Sequence, residues 1–251
     1  MQIFDAELAK KLRTLDLSKN NLSDVSRLGS LTELKILYLD NNNVFAGSLE
    51  CLVKLTKLQN LSLSGNKLGK PIVAKLQSSA NNSTTMALEA LPLLPTTLKQ
   101  LNLSGNFLSN IPRSVVSTTL NRLEKLDLSS NQLATVPDLI CNLQSLEELR
   151  LDSNMIVTLP EAIGKLSKLK VLSLRSNQLN LKKLTSSDHN YVHQPFPKSL
   201  FTDTSIIDLN LHGNRLTNTE MNQLEGYQDF LDRRRKIKSK TMSNFDVCGL
   251  E

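Results

Sequence analysis

Cysteine and histidine are scarce in this chain, three of each in 251 residues, and what is missing around them excludes whole classes of function. Cys51, Cys141 and Cys248 stand singly, so neither a metal-binding Cys pair nor a disulfide framework is spelled out. A reducing compartment is the expectation, the cytoplasm or the nucleus. His189 and His193 are four apart, a spacing that can put two imidazoles on one helix face, but only Asp188 stands near as a third ligand. The stretch reads as a polar loop, and no metal is expected. No glycine-rich phosphate loop and no nucleophile beside a base occurs, so no catalytic residue and no cofactor are assigned, and the chain is not read as an enzyme. Residues 1–11 (MQIFDAELAKK) lack a long apolar run and are expected to be neither a secretion signal nor a membrane span; Ile3, Phe4 and Leu8 would cover one end of the domain.

A broad basic surface is also lacking. The formal charge is +6, but RRRKIKSK (233–240) alone contributes six positive charges, and the rest of the chain sums to zero. Nucleic-acid binding needs a basic stripe on the body of the protein, so nucleic acid is not expected as a partner. The basic run reads first as a solvated segment, with an anionic membrane surface or nuclear import as the other uses. The ending Cys248-Gly249-Leu250-Glu251 fits a prenylation box poorly.

What the chain does contain is one pattern, three times over: LEKLDLSSNQL (123–133), LEELRLDSNMI (146–156) and LKVLSLRSNQL (169–179). Each fits LxxLxLxxNxL with Ile allowed for Leu, and Asn131, Asn154 and Asn177 are 23 apart. In an extended segment the two Leu residues of LxL share a face, and the residue between them points the other way. Stacked copies therefore build a parallel sheet with a Leu-filled interior. A buried Leu is worth on the order of 1.5–3 kcal/mol, but no single copy can bury its own set. The Asn amide carries two donors and an acceptor and can satisfy backbone groups left unpaired at the turn.

The period and pattern resemble the leucine-rich repeat. Five further matches extend the array: LRTLDLSKNNL (12–22), LKILYLDNNNV (34–44), LQNLSLSGNKL (58–68), LKQLNLSGNFL (98–108) and IIDLNLHGNRL (206–216). The resemblance implies an α/β solenoid, a horseshoe with a concave parallel sheet, short helices or 3₁₀ turns on the convex side, and a C-terminal capping helix. It also implies an asparagine ladder of Asn20, Asn42, Asn66, Asn106, Asn131, Asn154, Asn177 and Asn214. The expected organisation is an N-terminal cap (1–11), a repeat domain (12–216), a capping helix (217–238) and a flexible tail (239–251). Two long spacings mark insertions near 69–97 and 180–205, the second expected as a loop that packs Tyr191, Phe196 and Phe201 near the array. Cys51 and Cys141 fall in return segments, where a small apolar residue suits a core. In the cap, Thr219 can be the N-cap, and Leu224, Tyr227 and Leu231 share a face with Phe230 beside them.

The return segments IPRSVVSTTLNRL, VPDLICNLQSL and LPEAIGKLSKL resemble those of intracellular leucine-rich repeats of the Ras-suppressor and Ras-scaffold type. The box Leu224-Glu225-Gly226-Tyr227 with its basic continuation resembles the C-terminus of the small group like leucine-rich repeat-containing protein fifty-seven. Gln2 departs from that group, whose Met-Gly start suits a lipid anchor, and the two insertions add length. The cysteines do not resemble the paired-cysteine caps of extracellular members. The resemblance implies a monomeric, non-enzymatic protein-interaction module, a scaffold or adaptor in intracellular signalling. Its alternatives are a regulatory subunit in a phosphatase or small-GTPase pathway and a peripheral membrane protein held by the basic run. The concave face is the expected docking surface, through Asp16, Tyr38, Asp40, Asn102, Asp127, Arg150, Asp152, Arg175, Asn210 and His212.

Overall fold

The computed structural model describes residues 10–70, 91–183 and 192–242. Eight parallel strands of three residues form one open sheet in sequence order. They are β1 (Thr14–Asp16), β2 (Ile36–Tyr38), β3 (Asn60–Ser62), β4 (Gln100–Asn102), β5 (Lys125–Asp127), β6 (Glu148–Arg150), β7 (Val171–Ser173) and β10 (Asp208–Asn210). A separate antiparallel pair, β8 (Lys182–Lys183) and β9 (Val192–His193), stands between β7 and β10 in the chain. Register is set by the central Leu of each strand: Leu37 aligns with Leu15 and Leu61, and Leu149 with Leu126 and Leu172.

The strands are short because a turn follows at once. In every repeat the residue before the ladder Asn is left-handed: Lys19, Asn41, Ser130, Ser153 and Ser176 at φ 53–57°, and Gly65, Gly105 and Gly213 at 65–77°. A non-glycine residue costs about 1–2 kcal/mol in that conformation, and the bonds of the following Asn offset it. On the far side the chain returns through 3₁₀ turns: η1 (Ser26–Ser30), η2 (Ala46–Lys54), η3 (Thr118–Leu120), η4 (Asp138–Asn142) and η5 (Glu161–Lys165). Pro137 and Pro160 precede η4 and η5 at φ −74° and −73°, the angle that the pyrrolidine ring imposes. Leucines from sheet and returns interlock in one continuous core, in which Leu128, Leu149, Leu151 and Leu172 have no exposed surface.

The second insertion departs from the expected loop. Residues 195–207 form a return segment, with Pro197 at φ −72° opening α1 (Lys198–Thr202). Phe196, Leu200 and Ile206 are buried where Leu159, Ile163 and Leu169 are buried one repeat earlier. Tyr191 lies outside the described residues, as do Ile3, Phe4 and Leu8 and most of the 69–97 insertion. His189, Asp188 and Cys248 are outside them too, whereas His193 sits in β9 and not on a helix. Cys51 is a core thiol that donates to the Val25 carbonyl at 3.2 Å, and burial pushes its pKa up. Cys141 is half-buried.

The expected single capping helix over 217–238 is two helices, α2 (Asn218–Asn222) and α3 (Tyr227–Met242). Its N-cap is Thr217 and not Thr219: the Glu220 amide donates to Thr217 and the Thr217 amide to Glu220, a reciprocal capping box. The basic run is therefore helical as far as residue 240, where a flexible tail was expected to begin at 239. Phe230 is buried in α3, and Tyr227 and Leu231 are half-buried. Tyr227 stacks on Phe230 and meets Phe201 edge-on. Arg233 turns inward and donates to the carbonyls of Phe201 and Thr204, which end α1. Gly226 is left-handed at φ 79°, and a Cβ there would stand 3.1 Å from Thr202 and 3.3 Å from Phe201.

Candidate functional site: the concave sheet

Side chains alternate along each strand, so the first and third strand residues and the residue two further on face outward together. Four of the ten residues expected on this face, Tyr38, Asn102, Asp127 and Arg150, line one shallow depression of about 270 Å³ across β2–β6. Asp40 adjoins it through a hydrogen bond from Ser62, which lines it. Asp16, Asp152, Arg175, Asn210 and His212 lie outside the lining. The depression also takes in Asn60, Gln100, Lys125 and Glu148, first-position residues that were missing from the expected set. Alternation along the strand puts them on the same face as the LxL positions.

Two kinds of strand end shape the floor. In four repeats the outward residue of the LxL pair accepts from the amide two residues on: Asp16 from Ser18 (2.9 Å), Asn102 from Ser104 (3.0 Å), Asp127 from Ser129 (2.9 Å) and Asn210 from His212 (3.2 Å). In two repeats Ser occupies that position, and the acceptor comes from the preceding repeat. Asp40 accepts from the Ser64 amide (2.8 Å), and Asp152 from the Ser173 hydroxyl (2.6 Å) and the Arg175 amide (2.7 Å). Those preceding repeats are the ones that carry Tyr38 and Arg150. The acceptors Asp40 and Asp152 leave the following LxL positions to the small Ser62 and Ser173, while Tyr38 and Arg150 stand where an Asp or Asn caps in the other four repeats. Asp40 and Asp152 thus hold backbone together as well as facing solvent.

The electrostatics are uneven. Glu148 pairs with Arg150 at 2.6 Å and Lys125 at 3.3 Å. Partial burial pushes its carboxyl up, but the hydrogen bonds and charges of Arg150 and Lys125 outweigh this and hold it below the usual range. Arg150 stands opposite Asp127 in register, yet its guanidinium is turned along its own strand to Glu148. Among the described residues no Lys or Arg lies within ion-pair distance of Asp127. At the outward positions six carboxylates (Asp16, Asp40, Asp127, Glu148, Asp152, Asp208) face three cations (Lys125, Arg150, Arg175), a negative face on a chain of formal charge +6. The described residues hold no cluster of three metal-ligating side chains.

Beneath this face the Asn side chains bridge successive repeats. Asn131 donates to the carbonyls of Leu103 (3.0 Å) in the preceding repeat and Leu128 (2.9 Å) in its own, and accepts from the amides of Leu108 and Asn106, both at 3.0 Å. Asn42, Asn66, Asn106, Asn154, Asn177 and Asn214 likewise donate to the preceding repeat. Among the described residues, Asn20 bonds within its own repeat, to Leu17 and Ser18.

Two family descriptions match the chain: Leucine rich repeat over residues 96–156 and Leucine Rich repeats (2 copies) over residues 10–49. Together with these matches, the open eight-stranded sheet is the fold of a leucine-rich-repeat solenoid. Among curated relatives it is 30% identical to mouse podocan-like protein 1, over 52% of this chain and 25% of that one. It is 30% identical to rat lumican, over 55% and 43%, and 32% identical to mouse Toll-like receptor 9, over 53% and 14%. The chain spans less than half the length of these relatives. Among solved structures it resembles a leucine-rich-repeat protein of Leptospira interrogans, with TM-score 0.63 and 26% identity over 88% of this chain and 48% of that one. An internalin of Listeria monocytogenes gives TM-score 0.60 and 25% identity over 90% and 56%. Leucine-rich-repeat domains generally mediate protein–protein interaction.

Proposed function

We propose that this chain is a non-enzymatic, monomeric docking module, a cytoplasmic scaffold or adaptor that holds a protein partner on its concave sheet. The observation that carries the reading is the depression framed by Tyr38 and Arg150, large side chains at a strand position that holds Asp or Asn in four other repeats. Tyr and Arg are enriched among the residues that dominate interface energetics. The Pro-containing returns support kinship with intracellular Ras-suppressor-like repeats and the Leu224–Tyr227 box with the group like leucine-rich repeat-containing protein fifty-seven, and the buried Cys51 thiol suits a reducing compartment. Affinity purification followed by mass spectrometry tests the proposal. The variant Tyr38→Ala/Arg150→Ala/Arg175→Ala should lose the stable partners of the wild type, and an unchanged partner set overturns it. A phosphatase or small GTPase among the proteins lost makes the module a regulatory subunit.

A second reading rests on α3, where Arg234, Arg235 and Lys236 are exposed next to Ile237, which is 38% exposed. That composition suits an anionic membrane surface. Flotation with phosphatidylserine vesicles, lost on Arg234→Glu/Arg235→Glu, is the result it requires.

A further inference from the structure

We infer that the occupant of the concave depression is a basic segment of a partner protein, one that presents Lys or Arg side chains to Tyr38 and to Asp127. The inference rests on the concave-docking proposal and adds the chemistry of what docks. Three observations carry it. The face is negative while the chain as a whole is positive, so its field selects against acidic segments and draws basic ones. Within the depression the two cations, Lys125 and Arg150, are already engaged by Glu148, whereas Asp127 meets no cation among the described residues. An incoming acid would have to compete with Glu148; an incoming base finds an available carboxylate. Finally, Tyr38 stands at one side of the same depression, 36% exposed, and an aromatic face attracts a cation held over it. Between them the floor is amide and hydroxyl: Asn60 donates to Gln100 at 3.4 Å, and Asn102 lies beside them. Such a floor can bond to the backbone of an extended peptide whatever its side chains, leaving selectivity to Tyr38 and Asp127.

The test is a fluorescence-anisotropy titration of the full chain with three labelled peptides of equal length, one rich in Lys and Arg, one in Glu, one in Ser and Gly. The basic peptide should bind at least about tenfold tighter than the other two, and more weakly as salt rises. Asp127→Asn keeps an oxygen for the Ser129 amide and should weaken that binding about five- to tenfold, as should Tyr38→Ala. Asp138→Asn removes the same charge from η4 on the convex side and should change nothing. Equal or preferential binding of the Glu peptide, indifference to Asp127→Asn, an equal loss with Asp138→Asn, or no binding of any peptide overturns the inference. If the concave variants still lose their captured proteins in any of those cases, the docking proposal stands without it. If they lose none, both fall.

Discussion

At the scale of the residue, the cost of an asparagine depends on its place in the stack. Asn106 has no exposed surface and donates to Leu63 (2.8 Å) in the repeat before and to Leu103 and Ser104 (both 3.1 Å) in its own. Cutting it back to Ala takes one of two donors from the buried Leu63 and Leu103 carbonyls and takes the acceptor from the buried Leu68 amide, at about 1–3 kcal/mol, the desolvation cost of an orphaned buried group. Asn20 makes the corresponding bonds to Leu17 and Ser18 in its own repeat but is exposed, so water can replace its amide. Urea denaturation should therefore show Asn106→Ala losing about 1–3 kcal/mol and Asn20→Ala under about 1 kcal/mol. Equal losses would mean that the side chain acts through its own turn alone and that the bond to the previous repeat adds nothing.

At the scale of the element, what was legible in the sequence depended on which residues were admitted to the pattern. All eight strands fall where LxL does, because two inward leucines per strand leave no other register that buries them. The return segment at 195–207 was hidden by one aromatic. Phe196-Pro197-x-x-Leu200 repeats the form of Leu159-Pro160-x-x-Ile163, with Phe in the place of Leu, and the larger ring reads as part of a loop until its burial is seen. Thr217-x-x-Glu220 was likewise a readable capping box, passed over for a Thr two residues on. The depression was half legible: Tyr38, Asn102, Asp127 and Arg150 came from the LxL position, and the residues beside them only from strict alternation. The Leu224–Tyr227 box was recognisable as a motif, but its physics needed coordinates. Gly226 is left-handed where α1 passes close, Glu225 pairs with Lys198 at 2.5 Å, and Leu224 and Phe230 are buried. Gly226→Ala adds a Cβ in a conformation that disfavours one, against Thr202 and Phe201, and should cost about 1–2 kcal/mol in a thermal or urea melt. Arg234→Ala, on an exposed turn of the same region, should cost under about 0.5 kcal/mol. A harmless Gly226→Ala would show that α1 and α3 are not locked together there.

At the scale of the whole molecule, a stack in which each repeat touches only its neighbours has ends that are weaker than its middle. Opening a central repeat breaks two repeat–repeat interfaces; opening the first of the described repeats breaks one between described repeats. Burial follows the same gradient. Leu126, Leu128, Leu149 and Leu151 are at most 1% exposed, whereas Leu12, Leu15, Leu17 and Leu22 in the first repeat are only partly buried. The far end is treated differently. Leu209 and Leu211 in the last repeat are partly buried too, but beside them the Phe196–Phe201–Tyr227–Phe230 cluster and the Arg233 bonds tie α1 to α3. Native-state hydrogen exchange should therefore run as an asymmetric gradient. The amide of Leu17, bonded to the Tyr38 carbonyl at 2.9 Å, should exchange at least about tenfold faster than those of Leu128 and Leu151, which make equivalent bonds at 2.9 and 2.8 Å. Leu174, whose amide bonds to Asn210 at 2.8 Å beneath the C-terminal cluster, should stay with the slow group. Since the three kinds of site have nearly the same hydrogen-bond length, bond geometry cannot produce the difference; only the number of interfaces that must open can. Exchange at one common rate along the whole sheet would mean that the array opens as a single cooperative unit, and that the concave face cannot loosen at its N-terminal edge while the Tyr38–Arg150 depression keeps its shape.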